Sequence, residues 1–264
     1  MAGTTGLTGV EILKNIQPAP GHLFQVPADG LYGTIIFGVM GVVCIVWAAV
    51  ILVRQKNVVP ILLCAGSALA VVNEPIVDVL GKIVYPHNFM WTIESFGRDI
   101  PLILCPGYMA WCAMVPYYVA RYMKRGAQKK TLYLIALFTF VSVVLTDTIA
   151  TSNTHWVYYG EGLLHNFTGS LTMAAFPIVS GAMLFLVYSR TGIAPKLAVF
   201  FTPLVALSMS LAGTSFTLCF AMNTELPPVV DLIFRAMAPL LTAGIVWLIA
   251  EQVGISRSTR TPAT

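Results

Sequence analysis

The run LYGTIIFGVMGVVCIVWAAVILV, Leu31 to Val53, carries no charged residue before Arg54-Gln55-Lys56-Asn57 ends it. A helix needs about 20 apolar residues to cross a hydrocarbon layer about 30 Å thick, so this stretch reads as a membrane span. Six more stretches of the same kind follow, at 58–80, 100–120, 131–150, 168–188, 197–222 and 229–250, parted by loop chemistry such as Pro227-Pro228. The whole chain agrees. Its 264 residues are 57% hydrophobic and 10% charged, with a mean hydropathy of +0.81, against roughly 25% charged in soluble domains. That balance excludes a nucleic-acid-binding domain, a secreted disulfide scaffold and a disordered regulator, and a net charge of +4 demands no acidic partner. The expectation is an all-α integral membrane protein, one seven-helix bundle over 31–250 between a segment 1–30 and a tail 251–264.

Basic residues are retained on the cytoplasmic side. Arg54, Lys56, Arg121, Lys124, Arg125, Lys129, Lys130, Arg190, Lys196, Arg257 and Arg260 fall in alternate loops and the tail, while the opposite face keeps Lys14, Lys82, Arg98 and Arg235. The C-terminus is therefore expected in the cytoplasm and the N-terminus across the membrane, multi-pass in a bacterial plasma membrane or a eukaryotic endoplasmic reticulum. Leu7, Val10, Leu13 and Ile16 predict a short amphipathic helix on the membrane surface, and no cleaved signal peptide is expected in 1–30. The five cysteines lie in apolar runs without a CxxC and read as small buried hydrophobes.

The acids reverse the basic pattern: all but Glu251 lie in the non-cytoplasmic half. Glu74, Asp78, Asp147 and Asp231 sit within or at the ends of spans, where a charge costs roughly 2.5–3.5 kcal/mol at a helix centre. They should face one another or a wet cavity. Glu74 and Asp78 are four residues apart and share a helical face; two such carboxylates cannot both ionise cheaply, and a carboxylic acid that keeps its proton is a donor. Asn73 can hydrogen-bond beside them, and Pro75 kinks the helix. The alternative for this cluster is interhelical hydrogen bonding that merely holds the bundle together.

Asp231 and Arg235 are spaced for an ion pair, which suits a counter-ion, and a structural pair at the mouth of the seventh helix is the competing reading. Arg98 and Asp99 either join this polar layer or begin a helix in water. Phe89, Trp91, Phe96, Tyr108, Trp156, Tyr158 and Tyr159 crowd the same side. They read as an interfacial belt or as cavity walls that stabilise a cation. His155, Glu161 and His165 fit no zinc spacing, so no metal is expected. Asn166-Phe167-Thr168 is a glycosylation sequon on the right face, though it crowds the fifth span. Walker, GxGxxG, GxSxG and HExxH motifs are absent from the sequence, and no lysine lies mid-span to carry a retinal Schiff base.

Glu74-Pro75-x-x-Asp78, Tyr85-Pro86, Phe96-Gly97-Arg98-x-Ile100-Pro101 and Tyr108, followed by Trp156-x-Tyr158-Tyr159-Gly160, resemble the avermectin-type spirocyclase family of membrane proteins. An acid in the second span and one in the seventh, Glu74 and Asp231, are similar to those of the membrane-bound terpene cyclases of meroterpenoid pathways. The chain departs from the latter in holding Asn73 where a tryptophan accompanies the acid, and in placing Asp231 at the start of its helix.

Both resemblances imply a seven-helix cyclase in secondary metabolism that closes a ring on a lipophilic natural product by acid catalysis. They make Glu74, Asp78 and Asp231 the catalytic candidates. Asn73, Arg98, Asp99, Asp147 and Arg235 would orient substrate or balance charge. Trp91, Phe96, Tyr108, Trp156, Tyr158 and Tyr159 would stabilise the cation. A redox-neutral closure needs only a proton, so no cofactor is expected; the partners are the bilayer and a lipophilic small molecule. The rival from another class is a proton-coupled transporter or permease, since membrane acids also mark ion pathways; a third is a structural or sensor protein with a hydrogen-bonded helix core.

Overall fold

The computed structural model describes residues 31–89, 91–159, 162–187 and 190–258. The expected amphipathic helix within 1–30, Glu161 and the last residues of the tail lie outside them. In chain order come α1 (Leu31–Gln55), α2 (Val59–Leu69), a 3-10 turn (Ala70–Asn73) and α3 (Glu74–Gly81). Strands β1 (Ile83–Val84), β2 (Thr92–Ser95) and β3 (Arg98–Pro101) lead to α4 (Leu104–Met109), a π turn (Ala110–Met114) and α5 (Val115–Lys124). Then follow α6 (Lys129–Ser152), β4 (Val157–Tyr158), α7 (Thr168–Val187), α8 (Ile193–Ser210), a second π turn (Leu211–Ser215), α9 (Phe216–Met222) and α10 (Pro228–Ser258).

Among the described residues six helical segments are long and apolar enough to cross a membrane: Gly33–Gln55, Val59–Gly81, Lys129–Ser152, His165–Val187, Ile193–Met222 and Pro228–Val253. The expected span at 100–120 is the exception. Its first residues are strand, and the rod α4–π–α5 starts only at Leu104 and ends in Arg121 and Lys124. The tail expected from 251 is also shortened, because α10 continues to Ser258.

The all-α expectation needs a second correction. β1 pairs antiparallel with β4, and β2 with β3, Thr92 opposite Pro101 and Ser95 opposite Arg98. Phe96 and Gly97, both at positive φ (52° and 69°), make the two-residue turn between β2 and β3, the backbone that matches the twist of a tight hairpin. Arg98 and Asp99 therefore belong to a strand, not to a helix start.

α7 is the axis of the bundle, packed against α5, α6, α8 and α10. Small residues permit the closest approaches: a Cβ on Gly66 of α2 would lie 1.8 Å from the Phe200 carbonyl oxygen of α8, and one on Gly181 of α7 would lie 2.4 Å from Val119 of α5. On the outside, α1, α6 and α10 expose Val39, Val42, Val46, Leu137, Leu145, Leu240 and Leu248, an apolar jacket far larger than a soluble monomer carries. The threonines of α6 suit this setting. Thr139, Thr146, Thr148 and Thr151 each donate their hydroxyl to a carbonyl one turn earlier, which leaves no polar hydrogen facing hydrocarbon. The architecture is that expected of a helical membrane bundle.

Its two ends differ as the charges do. At one, Arg121 donates to Tyr117 (2.9 Å) and Gln55 (3.3 Å), and Lys129 pairs with Glu251 at 2.5 Å. At the other lie the two strand ladders and the acids.

Candidate active site

The second membrane-length segment is broken in its acidic half. The 3-10 turn Ala70–Asn73 interrupts it, and Pro75 opens α3 in the first helical turn, where its missing N–H costs nothing. Asn73 is consumed by this break: its amide donates to the Leu204 carbonyl of α8 (3.1 Å) and accepts from Ser208 (3.3 Å). These bonds, at the end of the segment that α2 begins, stitch it to α8.

The break turns Glu74 inward. Its carboxylate accepts the Tyr85 hydroxyl at Oε1 (2.5 Å) and the Tyr108 hydroxyl at Oε2. Burial first, and then the Glu74 carboxylate, push the Tyr85 phenol well above the ordinary tyrosine range, so Tyr85 keeps its proton and acts as a donor.

Glu74 lines a cavity of about 140 Å³ whose walls include Phe37, Val77, Tyr85, Leu104, Tyr108, Trp111, Trp156 and Met173. Asp147, Thr146 and Tyr158 line the same cavity. Asp147 accepts from Ser170 of α7 at 3.2 Å, with Tyr158 and Trp156 also within hydrogen-bonding range. Burial, then the Asp147 carboxylate, raise the Tyr158 phenol well above its usual value, so it too remains a donor. Trp156 is held edge-on to Tyr85 (6.1 Å between ring centroids) and beside Phe37 (6.4 Å). Asp147 and Tyr158 face a second, polar chamber of about 570 Å³ as well, lined with Thr148, Thr151, His165 and Asn166. The sequon asparagine thus sits in the turn that leads into α7.

Other expected site residues go elsewhere. Asp78, one turn beyond Glu74, is fully buried, lies outside the cavity lining, and neither oxygen has a hydrogen-bond partner among the described residues. Arg98 supplies the opposite charge beside it and donates to the Tyr159 hydroxyl at 2.5 Å, with its guanidinium 5.6 Å from that ring's centroid. Tyr159 is thereby occupied by Arg98 rather than by the cavity; burial raises its phenol and the Arg98 charge opposes the rise. Asp99 bonds His87 beside the β2–β3 hairpin.

Asp231, expected as a catalytic candidate, does not line the cavity and accepts from Arg235 at 2.7 Å. Arg235 also donates to the Leu163 carbonyl at 3.1 Å, so this pair clamps a loop to α10. Trp91 and Phe96, expected among the cation-stabilising aromatics, do not line the cavity. They are 73% and 47% exposed on the hairpin, where an interfacial role fits them better.

Phe37, Trp111, Tyr85, Thr146 and Met173 line the site without having been singled out as site residues. Trp111 lies in the π turn Ala110–Met114. Pro116 has no N–H to return to Cys112, which explains the widened turn, and such turns are frequent at functional sites. That proline was the one legible signal; Phe37 inside an apolar run offers no contrast.

No protein-family model, no curated protein and no solved structure matches this chain.

Proposed function

We propose that the protein is a seven-span integral membrane cyclase, N-terminus outside and C-terminus in the cytoplasm, with the rod Leu104–Lys124 as its third span. The reaction is a redox-neutral, acid-initiated ring closure of a lipophilic terpenoid, meroterpenoid or spiroketal precursor. One observation carries this reading: a glutamate buried in an apolar, aromatic-walled cavity, its two carboxyl oxygens held by the hydroxyls of Tyr85 and Tyr108.

In this reading Glu74 gives its proton to an epoxide, alkene or carbonyl oxygen of the substrate. The developing cation lies among the rings of Tyr108, Trp111 and Trp156, whose faces attract positive charge, while the apolar walls keep water from capturing it early. Asp147, in the lining of the same cavity, accepts the proton lost when the ring closes and returns it to Glu74, so an epoxide or alkene is isomerised, whereas a dihydroxy ketone closing to a spiroketal releases its protonated carbonyl oxygen as water. Tyr85 and Tyr108 position the Glu74 carboxyl.

Membranes containing the protein, incubated with prenyl epoxides, test the reading. Glu74→Gln keeps the shape and cannot act as an acid; turnover should fall by about 10²–10⁴-fold at unchanged yield and melting behaviour. Near-normal cyclisation by a well-folded Glu74→Gln protein overturns it. Proton-driven uptake of the same molecules into sealed vesicles, without product, would establish the transporter instead.

A further inference from the structure

A chamber of about 310 Å³ lies between α1 and α6, bordered by Ile36, Met40, Ile149 and Ala150. Three of its lining residues, Phe37, Trp111 and Thr146, also line the cavity that holds Glu74. The two spaces are therefore neighbours across a single layer of side chains. The chamber's outer rim is aliphatic: Ile36 is 58% and Ile149 63% exposed, on helix faces that the fold leaves to lipid. Asn153 and His155 stand together among its lining residues, and the Thr146 hydroxyl is already donated to the Ser142 carbonyl. There His155 lies directly on the backbone of α1, since a Cβ at Gly33 would come within 2.0 Å of its ring.

We propose that the gap between α1 and α6 is a binding subsite for the hydrocarbon chain of an amphiphilic substrate, and the route by which that substrate reaches Glu74 from the bilayer. The inference rests on the reading of the Glu74 cavity as a substrate site. Continuity selects the occupant. A reactive head of a few atoms fits the 140 Å³ cavity, and the larger chamber beyond Phe37 and Trp111 accepts an alkyl or prenyl chain that needs no hydrogen bonds. Phe37 and Trp111, standing in both walls, are the residues that must turn aside to admit it. A chain enclosed by apolar walls stays out of water, and relative to lipid it gains the close packing that sets its register at Glu74.

The test uses the full chain in phosphatidylcholine nanodiscs and a farnesyl-substituted phenol with a diazirine on its terminal isoprene unit. Photolysis should place label on peptides containing Ile36, Met40 or Ile149, and the same phenol without the diazirine should compete it away. Ile36→Trp and Ile149→Trp change exposed side chains and fill the gap. By taking the room of the chain, each should abolish most of the competed labelling, while Ile36→Leu preserves it. A phosphatidylcholine with a diazirine in its acyl chain should label the Leu240 and Leu248 face of α10 at least as strongly as the gap.

Labelling that resists competition, that spreads evenly over the lipid-facing helices, or that ignores both tryptophans overturns the subsite. So does occupation of the gap by the lipid probe in spite of excess phenol. If a tryptophan variant does not fold, the map and competition on the unaltered chain decide alone. Because Glu74→Gln should label normally, the two readings fail separately. Localised labelling without cyclisation of any prenyl substrate removes the cyclase and keeps the subsite; cyclisation with unlocalised labelling does the reverse.

Discussion

Glu74 and Asp78 occupy the same face of one short helix and meet different surroundings. Glu74 opens on the cavity and is satisfied by two phenols, whereas Asp78 lies behind it, fully buried, with Arg98 as its countercharge. The spacing that put both in one cluster was correct about their proximity and silent about which one the cavity reaches. A buried carboxylate stripped of its countercharge is costly, roughly 3 kcal/mol. Arg98→Met should therefore lower stability by about that amount, and adding Asp78→Asn should recover most of it. Thermal unfolding of the two single variants and the double variant measures the coupling; additive losses would show that Asp78 and Arg98 do not act together. Glu74, Asp147, Tyr108, Trp156 and Tyr158 were legible because polar or amphipathic groups are expensive inside an apolar run and so stand out. Phe37 and Trp111 have apolar neighbours in sequence, and nothing in their own chemistry separates a cavity wall from a lipid-facing ring.

The interruptions of the helices do as much as the helices. The 3-10 turn at Ala70–Asn73 aims Glu74, and the π turn at Ala110–Met114 holds Trp111 beside it. Neither follows from hydropathy, which averages over a turn or two; Pro75 and Pro116 mark both places once the physical consequence of a missing N–H is considered. The contact of α2 with α8 keeps the first break in place, because Asn73 can reach Leu204 only while Gly66 lets the two backbones close. Gly66→Ala should therefore be out of proportion to its size. With a Cβ 1.8 Å from the Phe200 oxygen, the helices must part, at a cost of about 1–3 kcal/mol, and turnover should fall although no cavity residue is changed. Melting and activity measured together check this; an unaltered melting temperature would mean that the α2–α8 approach is slack. The strand pairs were missed for a related reason. Four residues of Thr-Ile-Glu-Ser and four of Arg-Asp-Ile-Pro are too short to show a period, and Phe96-Gly97 becomes a turn signal only once both flanks are read as strands.

Among the described residues, most basic side chains gather toward one end of the bundle and most acidic ones toward the other. Arg121, Lys124 and Lys129 lie at one end, and the strand ladders, Arg98 and the Asp231–Arg235 pair lie at the other. In a membrane this predicts a cytoplasmic loop at 125–130 and a non-cytoplasmic one around Thr154. Single cysteines at Gly126 and Thr154, in a chain freed of its own five, should react with an impermeant maleimide from the inner and the outer side respectively. Reaction of Gly126→Cys from the outer side would invert the topology and move the Glu74 cavity to the cytoplasmic half.

Six apolar helices of membrane-spanning length, and the gathering of basic residues into alternate loops, could be read from the chain alone. Both are sums of local terms: the transfer free energy of about 20 neighbouring side chains, and the tally of charges in the next loop. Which acids share a cavity could not be read in this way. Asp147 and Asp231 are the same residue type and each lies near one end of its helix. One faces Glu74 and the other clamps a loop, because rotation about each helix axis is set by what packs against it: Ser170 of α7 against Asp147, and Leu163 against Arg235. A helix in lipid has no strong hydropathic reason to prefer one rotation. Close packing of small residues and a few interhelical hydrogen bonds make the choice, and those contacts exist only between segments far apart in the sequence.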